Sequence, residues 1–181
     1  MKSIIKTVCL SLCLALAVVS CKDEASIQSY FVDNQDKPEF LTLDLSLKML
    51  DISKVELDEE QKQVYESFEK VNILAYKISK GNKETYAQEL EKIKTIFKDE
   101  RYNELMEFSD NGTKFIVNTV GDNNDVDEFL VLASSKELGF AVLRVLGKDM
   151  QPEKLYKLIS KIQKADVAEG QLKKVMDYFK D

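Results

Sequence analysis

Four apolar runs follow one another between Leu105 and Leu146 with only short polar breaks, and this spacing decides most of what the chain can fold into. Leu105 to Phe108 and Phe115 to Val120 flank Asp110-Asn111-Gly112. Asn and Gly accept the positive φ that a tight hairpin demands, so these two runs are predicted to pair. Glu128 to Ser134 and Gly139 to Leu146 form a second pair around Ser135-Lys136-Glu137. Phe129-Leu130-Val131-Leu132-Ala133 and Phe140-Ala141-Val142-Leu143-Arg144-Val145-Leu146 are apolar on both faces of a strand. Strands of that kind are covered on both sides.

Upstream, Leu41, Leu43, Leu45 and Leu47 alternate with Thr42, Asp44, Ser46 and Lys48. Period two predicts a half-buried strand with its polar residues toward solvent. Met49 to Lys54 is ambiguous. Asp58-Glu59-Glu60-Gln61 reads as a capping box opening a helix that carries Val64, Tyr65 and Phe68 and ends near Lys70. Val71 to Ile78 reads as a strand. After a turn at Gly81-Asn82, Tyr86, Leu90, Ile93 and Phe97 form one stripe of an amphipathic helix, with Lys83, Glu84, Glu91 and Lys94 on its wet side. Pro152 suits the first position of a helix bearing Leu155, Leu158, Ile159 and Ile162, and a last amphipathic stretch carries Leu172, Val175, Met176 and Phe179.

The predicted order is β-α-β-α-β-β-β-β-α-α. It describes an α+β domain, a mixed and mostly antiparallel sheet of about six strands with helices packed on it. The helices from Asp58 and Asn82 are expected on one sheet face. The other face requires the C-terminal helices or a partner. Ile27 to Val32 is too short to assign, and residues 21–38 read as a polar tether ending at Pro38.

The first 20 residues have a different character. Lys2 and Lys6 precede an uncharged apolar stretch from Thr7 to Val19, and Val18-Val19-Ser20-Cys21 follows. A basic start, a short apolar run and a small residue before the cut describe a secretory signal peptide, too short to span a bilayer. Ending on Ser20-Cys21, the segment resembles a bacterial lipobox, whose cysteine becomes the acylated first residue of the mature protein. Several acyl chains on one residue anchor firmly, whereas a single chain holds only marginally.

Cleavage there leaves a mature chain running from residue 21 to residue 181, a natural size for one domain spanning 39–181. Loss of Lys2 and Lys6 leaves 24 of the 26 basic residues against 32 acidic ones and moves the formal charge from −6 to about −8. Such a chain has little electrostatic reason to bind phosphate backbones, so nucleic acid is not an expected partner. The chain contains no His, and Cys9 and Cys13 leave with the leader. Imidazole-dependent triads, zinc sites of the usual kinds and disulfides are excluded from the mature domain. No metal and no cofactor are expected; carboxylate, Lys, Tyr or Ser chemistry would remain.

Each polar candidate has a plain structural alternative. Asp122, Asn124, Asp125, Asp127 and Glu128 make an oxygen-rich cluster, but counted from Asp122 the sixth position is Asp127 and the twelfth Ala133. A calcium loop needs Gly and Glu there, so a solvated acidic loop is expected. Asp44 reads as a solvent-facing strand residue rather than a catalytic carboxylate. Asn111-Gly112-Thr113 and Ser135-Lys136 read as turns. The Phe179 stripe reads as core cover or as a docking helix.

The lipobox, Leu41-Thr42-Leu43-Asp44-Leu45-Ser46, Val71-Asn72-Ile73-Leu74-Ala75-Tyr76 and Tyr102-Asn103-Glu104-Leu105-Met106 together resemble the lipoprotein family known as domain of unknown function 4252, over roughly Glu39 to Ile162. The resemblance brings no catalytic or binding residues. It implies an outer-membrane lipoprotein of a gram-negative envelope, facing the periplasm or the cell surface. In that setting Lys22-Asp23-Glu24 resembles a surface-export signal placed after the acylated cysteine. The function expected is that of a lipid-anchored, non-catalytic domain that binds or scaffolds an envelope protein. A carboxylate- or Lys-dependent enzyme and a small-ligand or lipid carrier are the alternatives.

Overall fold

Alternation at Phe40–Leu45 gives one strand two chemically different faces, and in the computed structural model every residue of it but the exposed Asp44 is half-buried. The structure describes residues 25–46, 55–79, 81–122, 125–154, 175 and 177–180. Within them α1 spans Ile27–Asn34, β1 Phe40–Leu45, α2 Glu59–Ser67, β2 Phe68–Lys77 and α3 Lys83–Phe97. The meander follows as β3 Asn103–Asp110, β4 Thr113–Asp122, β5 Asp125–Ser135 and β6 Gly139–Met150. The six strands form one sheet in the order β1-β2-β6-β5-β4-β3.

Every neighbouring pair is antiparallel, so the sheet is not mixed as the sequence suggested. The reason lies between β1 and β2. Helix α2 passes into β2 without a loop and returns the chain beside β1 in register Phe40↔Tyr76 to Leu45↔Val71. The two-residue hairpin forms as expected, with Asn111 at φ 46° and Gly112 at φ 78°. Helix α3 then explains why β3 is an edge. Its 15 residues extend about 22 Å, enough to cross the roughly 19 Å from β2 over β6, β5 and β4.

Helices α1 and α3 share one face. Leu74, Leu130, Leu132 and Val142 are fully buried beneath them with Ile93, Tyr76 and Phe140. Each such aliphatic side chain contributes about 1.5–3 kcal/mol relative to exposure. The opposite face receives α2, whose Val64 packs with Phe68, Phe129, Val126 and Met150. The helices from Asp58 and Asn82 therefore lie on opposite faces, not the same one. Because α2 runs straight into β2, its C-terminal turn lies over Phe129 and Val145, which point away from Leu130 and Arg144.

Two boundaries also differ from expectation. Helix α2 stops at Ser67, where the Phe68 backbone turns extended at φ −83° and ψ 137°. Residues read as tether contain α1, capped by Ser26 and Ser29 in a reciprocal box, with Ile27, Tyr30, Phe31 and Asn34 buried. At the far end, Tyr178 donates to the Glu39 carbonyl at 2.7 Å and accepts from the Lys77 amide at 3.3 Å. The C-terminal helical residues 177–180 thus meet the β1–β2 edge of the sheet. Residues 155–174, which hold most of the two expected C-terminal helices, lie outside the described residues.

Candidate functional site

Ser20, Cys21, Lys22, Asp23 and Glu24 lie outside the described residues, and the description begins at Ala25. From there the chain is tied down at once. The Ala25 carbonyl accepts from Arg101 Nη2 at 2.9 Å, and the Ile27 amide donates to the Tyr102 hydroxyl at 3.0 Å. Arg101 is braced by Asp99, with Nε–Oδ1 at 2.6 Å and Nη2–Oδ2 at 3.1 Å. Those bonds hold the Asp99 carboxyl below the usual carboxylate range. The start of α1 is therefore secured beside the start of β3.

Between α1 and α3 runs an open groove of about 570 Å³, lined in part by Ser29, Tyr30, Asp33, Gln88, Lys92 and Thr95. Beside it Tyr30 donates to Glu89 Oε2 at 2.8 Å, and Lys92 Nζ reaches Oε1 at 2.6 Å. Burial raises the Glu89 carboxyl, but the hydrogen bonds from Lys92 and Tyr30 outweigh it, and the net shift is downward. Burial, with the Glu89 charge beside it, pushes the Tyr30 hydroxyl up. A protonated Tyr donating to an ionised Glu is a latch between two helices. Sequence reasoning did not single out Glu89, although it stands three residues after Tyr86 and four before Ile93 and so lies on the flank of the buried stripe.

A second polar group crosses the sheet. Asp44, Asn72 and Arg144 are successive cross-strand partners on β1, β2 and β6, and Glu128 on β5 lies diagonal to Arg144. The Asn72 side-chain amide donates to Asp44, and Lys70 Nζ lies 3.3 Å from Asp44 Oδ2. Arg144 grips Glu128 with two bonds, Nε–Oε1 at 2.7 Å and Nη2–Oε2 at 3.0 Å. Asp44 is exposed but shares the face of Leu74 and Tyr76, the one that α1 and α3 partly cover. Three strand spacings, about 14 Å, separate the β1 and β5 axes that carry Asp44 and Glu128. That exceeds the roughly 5–10 Å between the carboxylates of a hydrolytic pair, and Arg144 occupies the space between them.

The remaining motifs read as local structure. The Ser135 hydroxyl accepts from the Glu137 and Leu138 amides at 3.3 and 3.4 Å, which closes a turn. Asp122 ends β4 and pairs with Asp125 at the start of β5, which also holds Asp127, so these residues are strand ends and not the expected loop, and Glu128 is held by Arg144. Asn124 lies outside the described residues. Among the described residues no three His, Cys, Asp or Glu side chains are placed to hold a metal ion, and no helix is long and apolar enough to cross a membrane.

The surface that stands apart is β3. All eight of its residues are exposed, and Leu105, Met106 and Phe108 retain 45%, 51% and 47% of their accessible surface. β3 pairs with β4 alone among the described strands, so its outer edge offers unpaired backbone donors and acceptors. Phe108 stacks on Phe115 with centroids 4.9 Å apart, extending an apolar strip toward the edge. Glu104, Glu107 and Asp110 make the same strand acidic, and Lys114 on β4 engages Glu107 at 2.8 Å. An unpaired sheet edge with apolar side chains can take up a strand from another chain, while acidic side chains and an irregularity such as that between Glu104 and Met106 restrict which strands are accepted. Sequence reasoning placed this strand in the meander. It did not identify it as an edge, because the crossing of α3 depends on which strand finds β2.

No curated protein and no solved structure shows significant similarity to this chain. The model of the family described as a domain of unknown function, DUF4252, matches residues 30–158, which takes in α1 from its middle, the entire sheet and the start of the C-terminal region. The match covers most of the chain, and the protein belongs to the DUF4252 family.

Proposed function

We propose that this chain is an outer-membrane lipoprotein, anchored by acylated Cys21, whose domain binds an envelope protein through the β3 edge. The exposed strand carries the reading: Leu105, Met106 and Phe108 stand on an unpaired sheet edge instead of in the core. The sequence at Ser20-Cys21 supports the anchor. Lys22-Asp23-Glu24 follows as a candidate export signal to the cell surface. The acidic balance of 32 against 26 residues argues against nucleic acid as the partner.

The start of α1 gives this reading a geometry. Only residues 22–25 separate Cys21 from the Ser26 cap, and the five steps between them span at most about 18 Å. The end of the domain that carries Arg101 and the start of β3 is then held next to the bilayer. The partner is one that comes within reach of that membrane surface.

Two measurements test the proposal in intact cells. Cys21→Ser should move the protein from membrane to soluble fractions, and unchanged fractionation would overturn the anchor. A photo-crosslinking amino acid at position 105 should join the protein to one discrete envelope partner, while the same probe at exposed Gln63 on α2 should not. Equal or absent capture at the two positions would remove β3 as the binding surface.

A further inference from the structure

We infer that the β3 edge accepts an extended segment in which basic and apolar residues alternate, added to the sheet as a seventh strand. The inference rests on the reading of β3 as the binding surface and supplies the chemistry of its partner. Strand β3 carries Glu104, Glu107 and Asp110 and no Lys or Arg. Met106 and Phe108 register with Val117 and Phe115 on one face of the sheet, while Glu107 registers with Ile116 on the other. Leu105 falls at the irregularity between Glu104 and Met106. An added strand projects its side chains alternately to the same two faces. Apolar residues would extend the Met106–Phe108 strip, and residues of the opposite parity would stand beside Glu104 and Glu107, two carboxylates on one face with Lys114 of β4 engaging Glu107, so that a cation is still favoured there.

Charge also decides against a second copy as the occupant. Two β3 strands paired edge to edge would bring three carboxylates from each chain together, offset by one Lys114 of β4 beside each Glu107. Like charges set opposite one another across strands are destabilising. Backbone pairing supplies affinity without regard to sequence, and about half of the eight residues direct their amide and carbonyl groups outward. The acidic side chains then choose among strands. Because Glu104 and Glu107 are exposed, their selectivity weakens with salt.

Three blocked, fluorescent eight-residue peptides test the inference against the mature protein with its cysteine changed to serine. One alternates Lys and Val, one alternates Glu and Val, and one is the Lys-Val peptide with alternate backbone amides methylated. The Lys-Val peptide should bind at least about tenfold more tightly than either control at low salt, and slow amide hydrogen exchange across 104–109. Glu104→Lys combined with Glu107→Lys should reverse the order of the Lys and Glu peptides. Equal binding of the Lys and Glu peptides, protection away from β3, no effect of the charge reversal, or dimerisation through β3 in sedimentation would each overturn the inference. Crosslinking from position 105 distinguishes the levels. A captured partner with failed peptide arms removes the strand chemistry alone, and no captured partner removes the binding surface itself.

Discussion

Replacing Arg144 with Met should be among the most damaging changes of a charged residue in this domain. Arg144 and Glu128 keep only 14% and 10% of their side-chain exposure, and two hydrogen bonds of 2.7 and 3.0 Å join them in fork geometry. Removing one partner of a buried pair costs roughly 3–5 kcal/mol, because the other charge stays buried without compensation. A tenth of the Glu128 side chain still meets solvent, so the lower end of that range, about 3 kcal/mol, is expected. For a domain of this length Tm should fall by about 6–12 °C. The assay is urea unfolding of residues 21–181 with Cys21 changed to Ser, with the slope unchanged and the midpoint lowered. The double change Arg144→Met with Glu128→Leu should recover to within about 1 kcal/mol of the parent, since apolar side chains of similar volume replace such pairs at little cost. A single-variant loss below about 1 kcal/mol would show that the pair is not desolvated. It would also reopen the polar row as something other than a structural tie.

Further outcomes follow from Glu89 and the glycines. The Glu89 carboxyl lies below its ordinary 4.5, so its latch to Tyr30 contributes stability that is present above that pH and lost as pH falls through the depressed value. Glu89→Gln should therefore cost stability at neutral pH and flatten the acid limb of the stability profile below about 4.5, as followed by circular dichroism; an unchanged limb would refute the latch. Gly139→Ala should cost at least about 3 kcal/mol, since a Cβ would sit 2.0 Å from the Tyr76 carbonyl oxygen at φ +129°. Gly112→Ala should cost only about 1 kcal/mol, because at φ +78° its Cβ meets nothing within 4 Å. Equal losses at the two glycines in thermal melts would contradict this account of the β5–β6 turn.

Much of the fold was legible because short-range chemistry specifies it. Asp58 and Gln61 form the capping box their spacing implies, and Asn111-Gly112 takes the two positive φ values. Strands β5 and β6 are apolar on both faces, and helices lie on both. Helix α1 was missed although Ile27, Tyr30, Phe31 and Asn34 already have helical spacing. The eight-residue segment is too short to declare itself, and its stability comes from Tyr102, Phe40 and α3 rather than from local propensity. The candidate site was legible only in part. Glu104, Leu105 and Met106 stand out as the start of the meander, but nothing local to them states that among the described residues no strand pairs beyond β3.

The sequence by itself determined the absence of imidazole, the α+β class and the turn chemistry, since these depend on residue type and on neighbours a few positions apart. Tertiary structure decided which helices share a sheet face, that Arg144 meets Glu128, and that β3 lies at the margin with its apolar side chains exposed. Those outcomes depend on strand order. Strand order arises when β6 rather than β3 pairs with β2, a contact between segments more than sixty residues apart. A sheet ends where its last available partner ends, and the chemistry of a single strand carries no record of that.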